Sequence, residues 1–129
     1  ANGDISALAQ TVKLCGDELT IYSGNDDQIT AFMSLGAKGV VSVLSNIAPR
    51  AVHDMVKMYL DGDTAASTEL QLKYLDLCSS LFSDVNPIPV KEAMNMMGMK
   101  VGSCRLPLAQ IQPQAKEKLR RSLSALGMI

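Results

Sequence analysis

Tryptophan is absent from this chain, and only 4% of its 129 residues are aromatic. Few rings are left to stack on bases, and a net charge of −1 sets up no field that would draw in a phosphate backbone. Nucleic acid is therefore not an expected partner. No apolar run approaches the ~20 residues that a membrane-spanning helix needs. The N-terminus also shows no basic stretch leading into an apolar one, so neither a membrane nor a secretory route is indicated. Cysteine is scarce too. Cys15, Cys78 and Cys104 are odd in number and far apart, which argues against a tight zinc motif or a disulfide framework. They read as buried free thiols of a reducing cytosol. The one histidine, His53, has no second histidine and no cysteine or carboxylate cluster beside it. No metal site is expected, and His53 is placed on an exposed helix face. Glycine-rich phosphate loops, nucleophile elbows and paired catalytic carboxylates are missing as well, so no cofactor is expected.

What is present suits a globular protein of one-domain length, with 47% apolar and 19% charged residues. Asp4 is a good N-cap for a helix to about Cys15, with Ile5, Leu8, Val12 and Cys15 at helical spacing and Gly16 as the stop. Leu19 to Tyr22 read as a short strand. Asp26 or Asp27 is expected to cap the next helix, whose buried stripe is Ile29, Phe32, Met33 and Gly36. Gly39 to Asn46 form a second strand, apolar on both faces, as strands of covered parallel sheets are. A third helix runs from Pro49 to Leu60. Beyond Gly62 no convincing strand follows. Asp63 caps a long helix to about Phe82, Asn86-Pro87 opens another that ends before Gly98, and Pro113 to Leu126 form the last. The expected division is therefore α/β units over residues 1–60 and a helical appendage over 61–129. Because Ala1-Asn2-Gly3-Asp4 reads as the loop before a helix, the alternation is expected to have begun upstream.

In parallel α/β folds the site gathers where strands end and βα loops begin. Ser23-Gly24-Asn25 lies at one such end, and glycine there lets a ligand approach the backbone. Gly24 equally suits a plain tight turn, and Asp26 a plain cap. Val41 and Ser42 at the second strand read either as core or as backbone able to hold a small anion. Met94 and Met97 are spaced as core or subunit-contact residues. Lys116, Lys118, Arg120 and Arg121 read as a solvated helix face interrupted by Glu117.

Four phrases in order, Tyr22–Asp26, Gly39–Pro49, Asn86–Lys91 and Arg105–Leu108, resemble the dihydrodipicolinate synthase family. The resemblance extends over essentially the whole chain. It implies the C-terminal portion of a (β/α)8 TIM barrel, two parallel strands with their helices, plus a three-helix appendage. It also implies a lyase of lysine and diaminopimelate biosynthesis that condenses pyruvate with aspartate semialdehyde through a Schiff base. By this resemblance the Schiff-base lysine lies about two residues before Ala1, so no catalytic residue is expected in this chain. Val41 matches a backbone contact to the pyruvate moiety, Gly24 matches a glycine lining the same pocket, and Asn25 replaces an acidic residue. No lysine here is placed to substitute: Lys38 precedes its strand, and Lys13, Lys57, Lys73, Lys91, Lys100, Lys116 and Lys118 fall on helices or turns. The expected partners are the two substrates and either a missing N-terminal half or further copies, in the cytoplasm. Two other readings stand beside this one: a non-catalytic, self-associating fragment, and a related pyruvate-dependent sialic-acid or keto-sugar lyase.

Overall fold

The computed structural model describes residues 2–129. Six α-helices follow one another: α1 (Ile5–Cys15), α2 (Ile29–Ser34), α3 (Pro49–Leu60), α4 (Thr64–Leu81), α5 (Ile88–Met96) and α6 (Pro113–Ala125). Two of them start on the expected aspartates. The Asp4 side chain accepts from Ala7 N and that of Asp63 from Ala66 N, each meeting an amide that has no partner within its helix. Proline in the first turn fixes the starts of α3 and α6.

The strands are shorter than expected. The segments around Ser23 and Val40 meet in one isolated parallel bridge. Lys38 N donates to Ile21 O at 2.8 Å, Ser23 N to Gly39 O at 2.9 Å and Val41 N to Ser23 O at 2.8 Å. The pairing is parallel as expected, but the run from Gly39 to Asn46 does not stay extended. Val43 turns into the right-handed helical region (φ −79°, ψ −42°) and Leu44–Asn46 form a single 3-10 turn. Two segments without flanking strands gain few ladder bonds, so side-chain partners for the Val43 to Ser45 amides override the β-propensity of the valines.

Other expectations are corrected at the ends of elements. Neither Asp26 nor Asp27 caps α2: a 3-10 turn over Asp26–Gln28 leads into it, with no side-chain cap. Ile29, Phe32 and Met33 are buried as expected, whereas Gly36 is exposed, with φ +98° in the turn that ends α2. Pro87 rather than Asn86 stands at the cap of α5, and Asn86 makes no capping bond. In α1 only Leu8 is buried. Of the cysteines, all free, Cys78 is buried while Cys15 and Cys104 are half-buried.

One apolar core joins elements from both sides of residue 60. Ile29 and Met33 of α2, Leu44 and Ile47 of the following loop and Val52 and Met55 of α3 meet Leu77 and Leu81 of α4, Val90 of α5, and Leu119 and Leu123 of α6. Met94 and Met97 are half-buried against it. A smaller cluster of Leu8, Phe32 and Ala37 fastens α1. Helix α4 also buries Ser67 and Gln71, which reach back to the first part of the chain. Ser67 Oγ donates to Met55 O at 2.6 Å. His53 lies exposed on α3, and the basic face of α6 is solvated, with Glu117 accepting from Arg120 and Arg121. Among the described residues, no helix is long and apolar enough to cross a membrane.

Candidate functional site

The bridge brings two loops side by side. Ser23, fully buried, sits at the centre: its Oγ donates to Asn25 O at 2.9 Å and accepts from Asn25 N at 3.1 Å. This small ring fixes the turn that carries Gly24. Gly24 does not adopt a positive φ, so the turn itself makes no demand for glycine. A cavity of about 370 Å³ opens beside Gly24, lined also by Asn25 and Asp27 and by Cys78, Ser79 and Phe82 from α4.

Val41 follows the bridge on the second segment. Its N–H is committed to the Ser23 carbonyl, and its own carbonyl accepts no hydrogen bond among the described residues. Its side chain is 73% exposed and does not line the cavity beside Gly24. The structure therefore joins Gly24 and Val41 through the Ser23 bridge without placing them in one cavity.

Three amides after Val41 are taken up by side chains. Asp26 Oδ2 accepts from Val43 N and from Leu44 N, each at 2.9 Å, and Ser42 Oγ accepts from Ser45 N at 2.8 Å. Of the two amides considered for a small anion, Val41 N is held by Ser23 O, while Ser42 N makes no hydrogen bond among the described residues. Asp26 is only 2% exposed, and its Oδ1 is buried without a partner among the described residues. Gln71 of α4 holds the same turn from behind: its Nε2 donates to Asp26 O at 2.9 Å and its Oε1 accepts from Thr30 N at 2.8 Å. Reading the residues in order missed both clamps. The only signal was a pair of polar residues, Ser67 and Gln71, four apart on the side of α4 that also carries Tyr74, Cys78 and Leu81.

Chemistry within these residues is limited. Burial pushes the Cys78 thiol up to about 12, with the Asp26 and Asp27 carboxylates acting in the same sense, so at neutral pH it is a thiol and a poor nucleophile. Among the described residues, no group of three histidine, cysteine or acidic side chains is gathered to hold a metal ion. Lys13, Lys38, Lys57, Lys73, Lys100, Lys116 and Lys118 are exposed, and the Lys91 Nζ donates to Ser103 O at 2.7 Å, far along the chain from either loop.

Comparison with known proteins agrees with this geometry. A sequence model described as the dihydrodipicolinate synthetase family matches residues 1–126. A 4-hydroxy-tetrahydrodipicolinate synthase of Clostridium perfringens is 50% identical over 129 residues, which is all of this chain and 44% of that protein. One of Acetivibrio thermocellus is 44% identical over 126 residues, 98% of this chain and 43% of the relative. A dihydrodipicolinate synthase structure from Thermotoga maritima superposes with a TM-score of 0.94 at 36% identity, covering 100% of this chain and 45% of that one. The chloride-inhibited enzyme of Acinetobacter baumannii, solved with pyruvate, gives 0.94 at 35% identity over 100% and 44%. The chain thus spans less than half the length of the relatives it matches.

Proposed function

The chain belongs to the dihydrodipicolinate synthetase family, and from that premise we propose that it forms the C-terminal part of a 4-hydroxy-tetrahydrodipicolinate synthase. The activity is that of a class I lyase in lysine and diaminopimelate biosynthesis, carried out in the cytoplasm. A lysine amine condenses with the C2 carbonyl of pyruvate, releasing water and leaving an imine. Loss of a C3 proton gives the enamine, which attacks the aldehyde carbon of aspartate semialdehyde. In this reading residues 1–60 complete the barrel and residues 61–129 form the helices behind it.

Gly24 and the Val41 backbone contribute one wall of the pyruvate pocket. The observation that carries this role is the bridge: Val41 N is held on Ser23 O while its carbonyl is left for a ligand, and Gly24 beside it has no Cβ to obstruct approach. The nucleophile comes from outside these residues. A Schiff-base lysine needs a dry pocket at a strand end to lower its pKa; the lysines here are exposed on helices, in the loop at Lys100 or before the bridge at Lys38, and Lys91, half-buried on α5, donates to Ser103 O. Alone, the chain is therefore inactive.

Intact mass after incubation with pyruvate and borohydride tests this reading. The 129 residues by themselves should take up no adduct, whereas pairing with a barrel half that ends in a lysine should restore one on that lysine. A stoichiometric adduct on the chain alone would overturn the claim that the nucleophile comes from outside these residues.

A second reading is favoured by one surface. Leu19, Tyr22 and Val41 are at least half exposed around the two extended segments, whose outer edges pair with nothing among the described residues. Such edges invite association. Without its barrel half the chain self-associates, and a monodisperse monomer in sedimentation at micromolar concentration would count against this. A sialic-acid or keto-sugar lyase would use the same wall, but the names of the relatives favour aspartate semialdehyde as the second substrate.

A further inference from the structure

We propose that Asp26 is a positioning residue for the pyruvate wall, an inference that rests on the functional reading above. Its carboxylate is 2% exposed, and one oxygen, Oδ2, accepts from both Val43 N and Leu44 N at 2.9 Å. Those amides lie two and three residues beyond Val41, the backbone contact assigned to pyruvate. Val41 is thus fixed on both sides: Ser23 O holds its own N–H at 2.8 Å, and Asp26 holds the turn that follows.

Asp26 is itself anchored. Gln71 Nε2 fixes its carbonyl, and it lies two residues beyond Gly24 on the other wall loop. A single side chain therefore ties the Gly24 loop to the Val41 loop, over 17 and 18 residues of chain. The bonding is one-sided, because Oδ1 is buried without a partner among the described residues. A residue present only to satisfy backbone amides needs one acceptor oxygen, and serine or asparagine would suffice. A carboxylate adds charge at the first amides of the Leu44–Asn46 turn, and a charged acceptor holds an amide more strongly than a neutral one does. The orientation of the Val41 peptide, and with it the direction of its carbonyl, follows from that turn. Displacing such a contact by about 1 Å costs roughly a hundredfold at worst.

Two measurements on three variants test this. Asp26→Ala removes the clamp, Asp26→Asn keeps one acceptor oxygen without the charge, and Ser67→Ala removes a buried clamp of similar size, from Ser67 to Met55 O, that is distant from the wall. In the 129-residue chain, amide exchange at Val43 and Leu44 should accelerate at least about tenfold in Asp26→Ala, less in Asp26→Asn, and not in Ser67→Ala. With the barrel half supplied, pyruvate KM should rise about tenfold or more in Asp26→Ala and be partly rescued in Asp26→Asn. Ser67→Ala should lower the melting temperature and leave that KM unchanged. An adduct that forms with unchanged KM in both Asp26 variants overturns this inference alone. Absence of any adduct when the unsubstituted chain is paired with the barrel half brings down the functional reading, and this inference with it. Should Asp26→Ala fail to fold, Asp26→Asn against Ser67→Ala decides the matter.

Discussion

The loops from Ser23 to Ala48 and the helices α4 to α6 are held in place by different means. In the loops, backbone amides are satisfied one by one by side chains: Ser23 for Asn25, Asp26 for Val43 and Leu44, Ser42 for Ser45, and Gln71 for Thr30. In the helices, apart from an end such as Ala66 N on Asp63, the backbone satisfies itself, and the work is done by apolar side chains such as Leu77, Leu81, Leu119 and Leu123, each at most 1% exposed. The difference follows from what each part must do. A loop that leaves the ladder cannot satisfy its amides by strand pairing, so it needs fixed polar partners. Helices carry no such demand and bury area instead. Polar clamps set position, while apolar packing supplies most of the stability.

Removing one packed side chain is the largest test of that division. Leu119→Ala in α6 should cost about 2–5 kcal/mol in urea unfolding, because the residue is fully buried where α6 meets the core. A loss below about 1 kcal/mol would mean that α6 is not integral to the core. Removing one clamp should cost less. Gln71→Ala strands the Thr30 N–H and the Asp26 carbonyl, at roughly 1–3 kcal/mol. If thermal melts put the two variants level, the clamps carry as much stability as the packing, and the contrast between the two regions fails.

The helix caps sharpen the comparison at a smaller scale. Asp4 and Asp63 make the same bond, from the carboxylate to the amide three residues on. Substitution by alanine should cost about 1 kcal/mol at either site. The readouts should differ, because α1 buries only Leu8 whereas α4 is built into the core. Asp63→Ala should lower the global melting temperature, and Asp4→Ala should show mainly as faster amide exchange within α1. A global loss from Asp4→Ala would show that α1 unfolds together with the rest.

These caps also mark how far the sequence was legible. Asp4, Asp63 and Pro49 act on their own neighbours, so spacing alone located α1, α3 and α4 to within a residue or two. Asp26 has the same residue type in the same kind of place, before a helix, but its partners lie 17 and 18 residues away. Nothing in the local pattern distinguishes a cap from a long-range clamp. The valine run at Val40 to Val43 misled for the same reason, since amides captured by Asp26 and Ser42 end the strand before its own propensity would. Of the two residues the resemblance named for the site, both flank one bridge, but only Gly24 lines the cavity against α4, an arrangement no local pattern encodes.

The smallest effect, nil at neutral pH, lies where the two regions meet. Cys78 is a core residue of α4, yet the carboxylates of Asp26 and Asp27 act on it from the loop side. Together with burial they raise its folded pKa from 9.0 to about 12. A thiol raised in this way stays protonated in the folded chain while it ionises in the unfolded one. Below about pH 9 the thiol is protonated in both states and stability does not depend on it; as pH climbs from 9 towards 12 it ionises only in the unfolded chain, and stability falls. At pH 8 iodoacetamide should label Cys15 and Cys104, both half-buried, and spare Cys78 until urea unfolds the chain. Intact mass would report two additions before unfolding and three after. Labelling of Cys78 in the folded state would mean that the loop clamped by Asp26 opens away from α4, and that its position depends on the core less than the shared contacts indicate.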